Sequence, residues 1–429
     1  MYIAENTLGR RLSIACGLVA AVTALAGAPT PAAAQWKQWG GPHQDFKADC
    51  KGLADEWPDE GPKKLWSQKL GQGYSAIVVD DDRLFTMYRE DDQEVVLCLD
   101  AKTGKKIWDF KYIAPIKEGH AAEFGTGPRA TPLVFDKRVY TIGVSGQMHC
   151  LSRKTGKKVW SHDLWEEFDG TVLNHGYSSS PFGYKNLVIA MVGGKGHSIV
   201  AFDKKTGKPA WKRHDFVNSY STPKLINVDG EDQVLCFMAT ELVAIDPVKG
   251  ALKWSFPHQN RWKQNVTLPI WDDKEHLLFI TSSPEAGSKG LKLTKNGKKT
   301  EVSEVWANKR VGVHHSNAIQ IGDTIYTSAA QRGPGLFYAV DVKTGEVKWK
   351  ERGFAKANCI YADGKLIVLD EDGNLGLVDP SPEKFKIIAQ VPLLSKVSWT
   401  VPTLAGTTLY VRDQNELIAL DLSDGGSES

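Results

Sequence analysis

Asp100-Ala-Lys-Thr-Gly104-Lys-Lys-Ile-Trp108 is the phrase on which the fold turns, because it returns at intervals along the chain. Ser152 to Trp160, Asp203 to Trp211, Asp246 to Trp254 and Asp341 to Trp349 repeat it, each with glycine four residues before tryptophan. A stretched copy ends at Trp306, nine residues after Gly297, and Trp66 ends an incomplete first copy. From Trp66 to Trp349 the successive tryptophans stand 42, 52, 51, 43, 52 and 43 residues apart. That spacing is the length of one four-stranded propeller blade.

Between tryptophans the text reads as strand. Residues 76–79, 83–87, 95–99 and 105–108 are short β-rich runs separated by Gly, Asp and charged residues, a pattern of strands rather than helices. In the phrase itself, the Asp carboxylate can accept a hydrogen bond from a nearby backbone amide and nucleate the turn between third and fourth strands. The glycine permits a positive φ in that hairpin. The tryptophan offers a broad apolar face to a neighbouring blade. Cys98 and Cys150 stand two residues before their motif Asp100 and Ser152, where other copies have Ala201, Ala244, Ala339 and Ala419. Both are therefore expected to be small, buried and unbridged.

After Trp349 the phrase fades while the rhythm persists. Residues 362–379 carry two strands, 385–391 an outer strand without its tryptophan, and 399–420 three strands without a fourth. The missing strand is available at 63–66. Pairing it with the carboxy-terminal blade closes the ring and removes two exposed edges. The fold expected is all-β, an eight-bladed β-propeller closed by an N-terminal strand.

The remaining boundaries follow from composition. Arg10 and Arg11 precede an apolar run from Leu12 to Ala28, and Ala32-Ala33-Ala34 supplies small residues before Gln35. Residues 1–34 read as a signal peptide, through either the general or the twin-arginine route, so the protein is expected to be periplasmic or secreted with no membrane span after cleavage. Residues 35–62 read as an N-terminal extension, 63–421 as the propeller and 422–429 as a flexible tail. The 53 basic and 51 acidic residues leave a net charge of +2, too little field for a nucleic-acid partner. Nothing in the chain calls for an oligomer, and a monomer is expected. Five cysteines follow the leader, with no CxxC or CxxCH pair for a zinc ribbon or attached haem.

The Asp-x-x-Thr-Gly-x-x-x-Trp phrase resembles the tryptophan-docking motif of the pyrroloquinoline quinone (PQQ)-like repeat superfamily. That group includes quinoprotein alcohol dehydrogenases and a propeller lipoprotein of outer-membrane assembly. The resemblance implies docking roles for Trp66, Trp108, Trp160, Trp211, Trp254, Trp306 and Trp349. The opening Gln35-Trp-Lys-Gln-Trp-Gly-Gly-Pro-His-Gln-Asp45 is similar to the start of a bacterial branch of these repeat proteins whose role is not defined. Catalytic family members hold PQQ against a disulfide of adjacent cysteines, with calcium on a Glu, Asn and Asp set. This chain has no adjacent cysteines and no clear match to that set, so no catalytic residue carries over.

Chemistry in a propeller gathers where the inner strands enter the central channel. Those entrances supply Tyr74, Arg129, His175, Tyr177, Tyr220, His314, His315, Lys356, Asn358 and Trp399, a mixture of flat faces and donors suited to a small ligand. Singly, each can be explained by packing or backbone hydrogen bonding. Together, the cations and histidines are costly without water or an anionic guest. Adjacent His314 and His315, if on a strand, would point to opposite faces and not share a metal ion. The clusters at 80–82 and 90–92 read as solvated turns rather than calcium loops. Two functions remain: a platform in the cell envelope for a small ligand or an envelope protein, or a PQQ- and calcium-dependent dehydrogenase of alcohols or sugars.

Overall fold

The computed structural model describes residues 35–329 and 335–424; the expected leader and the last five residues lie outside these. Eight antiparallel blades form the ring among the described residues. Blades 1 to 7 occupy 78–113, 133–163, 182–213, 224–257, 270–308, 318–351 and 358–392. Blade 8 joins Thr403–Ala405, Thr408–Arg412 and Glu416–Asp421 to the early strand Lys63–Lys69, with Trp66 opposite Ala419. The expected propeller and its closure are both present.

The repeat explains how blades stack. Within each of seven blades a small residue faces the tryptophan across the third and fourth strands: Cys98, Cys150, Ala201, Ala244, Gly290, Ala339 and Ala419. Cys98 and Cys150 are accordingly buried, and all five described cysteines are free. Trp66, Trp108, Trp160, Trp211 and Trp306 then lie against the glycine of the next blade's turn. A Cβ at Gly104 would stand 2.6 Å from the Trp66 ring, and one at Gly250 2.5 Å from Trp211. Both glycines have positive φ, at 70° and 67°, so no other residue type fits without strain. The indole N–H of Trp66 donates to the Ala101 carbonyl at 3.1 Å, and those of Trp108, Trp160, Trp211 and Trp306 do the same to Arg153, Lys204, Pro247 and Val342.

Two contacts depart from the pattern where the phrase departs. Trp254 faces the stretched hairpin of blade 5 and donates instead to Gln233 Oε1 at 2.7 Å, while Gln233 Nε2 reaches Thr300 on that hairpin. Trp349 faces the faded blade 7 and donates to Ser381, beside Asp379-Pro380. Blade 7 itself carries Ala389 where the others carry tryptophan.

Ring closure has a further device. Arg412 is fully buried in blade 8, and its guanidinium donates to the carbonyls of Ser75, Met87 and Gly71 and to Thr86 Oγ1 of the blade 1 side. Tyr410 Oη and Thr403 Oγ1 donate to the Ala101 and Ile77 carbonyls across the same seam.

The N-terminal extension is woven into the ring. Gln35 and Trp36 pair with Asp80 and Val79 of blade 1, and the Lys37 carbonyl accepts from Val134 of blade 2. The Gln44 amide spans Pro223 and Leu225 of blade 4, and Lys47-Ala48 runs parallel to Tyr361-Ala362 of blade 7. A segment that touches the last residues of inner strands on blades 1 and 7 must cross the channel at the end they reach. It closes that end and leaves the opposite mouth open. Leu53 and Ala54 return to Ser423 and Leu422, and Leu422 is buried.

Candidate functional site

Residues that precede the inner strands come together at the open mouth around a cavity of about 290 Å³. Its wall contains Tyr74, Arg129, His175, Tyr220, His314, His315, Lys356 and Trp399, contributed from 74 to 399 along the chain. Trp39 of the extension also lines it, so the plugged channel becomes a cup.

An aromatic cluster forms one side. Trp399 stacks on Tyr74 with ring centres 5.3 Å apart and packs against Phe124 at 5.1 Å and His315 at 4.6 Å. Tyr74 is held in place, its Oη donating to the Phe124 carbonyl at 2.9 Å and accepting from Gln414 Nε2 at 2.6 Å. The Trp399 indole N–H donates to Glu371 at 3.0 Å, and the same carboxylate oxygen meets Lys356 Nζ at 3.4 Å. Lys356 itself has a φ of 36°, a conformation uncommon outside glycine and frequent at functional sites.

Arg129 belongs to the same wall. Nε donates to the His175 carbonyl at 3.0 Å and Nη2 to the Gly125 carbonyl at 3.1 Å, with the guanidinium 5.0 Å from the centre of the Tyr74 ring. No carboxylate pairs with it among the described residues. Burial lowers its pKa, which measures how poorly its charge is solvated. The histidines respond in the same way. Burial pushes His314 down to about 4 and His315 to about 3, and lowers His175 as well. All three are neutral at pH 7.

Two expected wall residues lie elsewhere. Tyr177 is fully buried between blades 2 and 3, its ring 5.4 Å from Trp165 and its Oη donating to the Val192 carbonyl. The preceding Gly176, at φ 69°, turns the chain there and aims the tyrosine away from the channel. Asn358 is buried as a backbone bridge, donating to the Trp399 carbonyl at 2.8 Å and accepting from the Asn317 amide at 3.0 Å. The expectation that His314 and His315 point apart also fails. They precede the strand Ala318–Ile321 in a bend, where strand alternation does not operate, and their Nδ1 atoms are 3.2 Å apart. Even so, no group of three metal-ligating side chains occurs among the described residues.

Sequence reading missed Trp39 and Phe124. Trp39 belongs to the extension, whose path across the channel has no counterpart in the repeat. Phe124 sits in the long loop between blades 1 and 2 and carries no periodic signal. Ser178, Ser180, Thr222 and Gln264, which complete much of the wall, lie within or beside the segments read as strand entrances.

Eight four-stranded blades, tryptophan-on-glycine contacts between them and a cup at one channel end define a PQQ-like repeat propeller. A family model described as outer membrane protein assembly factor BamB matches residues 91–351, more than half of the chain, and the chain belongs to that family. BamB from Moraxella catarrhalis superposes with a TM-score of 0.60 over 84% of this chain and 99% of its own, at 16% identity. Quinohemoprotein alcohol dehydrogenase from Comamonas testosteroni gives 0.62 over 92% and 81%, at 13% identity. These likenesses concern the fold. In sequence, quinohemoprotein alcohol dehydrogenase ADH-IIG of Pseudomonas putida is 29% identical over 175 residues, 37% of this chain and 22% of that enzyme. Quinoprotein alcohol dehydrogenase PedH of the same species is 27% identical over 165 residues, 36% of this chain and 25% of its own length. The chain thus matches about a quarter of the length of these relatives.

Proposed function

We propose that this protein is an exported binding propeller of the cell envelope, and that the cup at its channel mouth is the site where a small, flat, anionic ligand docks. The observation that carries this reading is Arg129: a poorly solvated cation, facing a cavity, bonded among the described residues only to backbone carbonyls. A buried charge without a counterion is costly unless something supplies one. The stacked Tyr74 and Trp399, with Phe124 and Tyr220, provide flat apolar surface beside it. Export rests on the Arg10 to Ala34 leader pattern and on the family's outer-membrane description. The tryptophan-on-glycine contacts serve as blade docking and give the cup a rigid frame.

PQQ with calcium, which the quinoprotein likeness implies, is a poor match to this wall. Calcium takes six to eight oxygen ligands, several of them carboxylates. The cup instead offers Arg129, Lys356, three imidazoles and a few hydroxyl and amide groups, with no carboxylate among the described residues of its lining. The free, separated cysteines cannot form the adjacent disulfide of catalytic members.

The test is to titrate PQQ with and without calcium, and a panel of aromatic carboxylates, into the full chain and an Arg129→Ala, Trp399→Ala double variant. A carboxylate that binds the parent and is lost from the variant supports the reading. Calcium-dependent PQQ binding with alcohol-driven dye reduction would replace it with the dehydrogenase. Unchanged binding in the variant would move the site elsewhere.

A further inference from the structure

The charged groups around the cup specify how many charges its ligand carries, an inference that rests on the binding reading above. Arg129 contributes one positive charge with no carboxylate partner among the described residues. Lys356 contributes a second, but Glu371 lies 3.4 Å from its Nζ. Glu371 is only 13% exposed at its side chain and is fixed from another direction by the Trp399 indole at 3.0 Å. His175, His314 and His315 are held neutral by burial, and His120 is lowered in the same way. Glu118 and Glu123, on the loop bearing Phe124, are exposed, where water weakens their field, although Glu123 still acts on His175. Among the described residues, the lining together with Glu371, paired to Lys356 behind it, therefore carries a net charge of about +1.

We propose that the cup selects aromatic monocarboxylates over their neutral and dicarboxylate counterparts, and that the Lys356–Glu371 pair sets this choice. One carboxylate on Arg129 can take a charge-assisted, two-pronged hydrogen bond. The ring attached to it would lie against the Tyr74 and Trp399 faces. A second carboxylate would find Lys356 already paired and would face Glu371. A neutral ring would leave Arg129 unpaired. Discrimination thus comes from repulsion as well as attraction.

The pair can be altered one charge at a time without removing the aromatic wall. Glu371→Gln keeps an acceptor for the Trp399 N–H and raises the net charge to about +2. Lys356→Met lowers it to about zero. The probes are 2-naphthalenemethanol, 2-naphthoate and 2,6-naphthalenedicarboxylate, titrated into the full chain by ligand-observed NMR, with a melting curve to confirm that each variant is folded. In the parent, 2-naphthoate should bind about tenfold more tightly than either of the others. Glu371→Gln should shift the preference to the dicarboxylate by about tenfold. Lys356→Met should weaken 2-naphthoate several-fold and so narrow its margin over the alcohol.

Equal affinities for all three probes, abolished by Trp399→Ala, would overturn the charge selection while leaving the cup as the binding site. A parent preference for the dicarboxylate, or a Glu371→Gln variant with the parent's order, would overturn it as well. Failure of every ring compound to bind the parent would overturn the cup reading itself.

Discussion

The rim of this propeller and the mouth of its channel use the same aromatic residue types to opposite ends. At the rim, Trp66, Trp108, Trp160, Trp211 and Trp306 each lie on a glycine and complete a hydrogen bond to the next blade's backbone. Each indole N–H has a partner, and the ring face is consumed by packing. At the mouth, Tyr74 and Trp399 stack on each other and on Phe124 and His315 around unfilled space, beside an arginine with no carboxylate partner among the described residues. The rim should govern stability with little influence on binding. The mouth should govern binding with little influence on stability.

The seam offers the hardest blow to the rim side of that contrast. Arg412→Met leaves the carbonyls of Met87 and Gly71 without this donor, while that of Ser75 keeps Thr86 Oγ1, and each buried orphan costs about 1–3 kcal/mol. A loss of about 5 kcal/mol is expected in denaturant unfolding. A loss under 1 kcal/mol would show that closure does not depend on this side chain. Trp211→Ala, at a regular contact, should cost about 4 kcal/mol by the same measurement, since it leaves a cavity against Gly250.

A smaller effect separates buried histidines from paired ones. His149 is 6% exposed, with neither ring nitrogen partnered, and burial pushes its pKa down to about 3 from the usual 6.5. Below pH 6.5 the unfolded chain takes up a proton that the folded chain refuses until about pH 3, so stability falls as pH drops through that window. His149→Phe keeps the packing on Phe110 and Tyr112 and should reduce the acid slope by about 1.4 kcal/mol per pH unit. An unchanged slope between pH 6 and 4 would mean that His149 is not neutral when folded. Smallest of all should be the cost of Arg129→Gln. It removes a poorly solvated charge and should change stability by less than about 1 kcal/mol, even as it weakens carboxylate binding.

The same contrast explains what could be read from the chain beforehand. Rim contacts are local and periodic: glycine four residues before tryptophan, with a small residue across the ladder, so spacing alone reveals both blade and closure. The mouth is built from connections that do not repeat. Residues at strand entrances, such as Arg129, Tyr220 and Trp399, could be placed because ring closure gathers those entrances. Tyr177 could not, because the turn at Gly176 sends it into the inter-blade core. Asn358 could not, because its amide is used to tie Trp399 and Asn317 backbones together. Trp39 is present only because the extension crosses the channel, and Arg412 looks in sequence like any polar residue at a strand end.

The central claim, that scaffold and site are separable on this disc, is tested most directly by measuring 2-naphthoate affinity and melting temperature together in Trp399→Ala and Trp211→Ala. The predicted result is a crossed pattern: Trp399→Ala loses about tenfold or more in affinity with its melting temperature nearly unchanged, while Trp211→Ala melts several degrees lower and, while folded, binds as the parent does. A Trp399→Ala protein that melts as low as Trp211→Ala and still binds the probe at parental affinity would contradict the account.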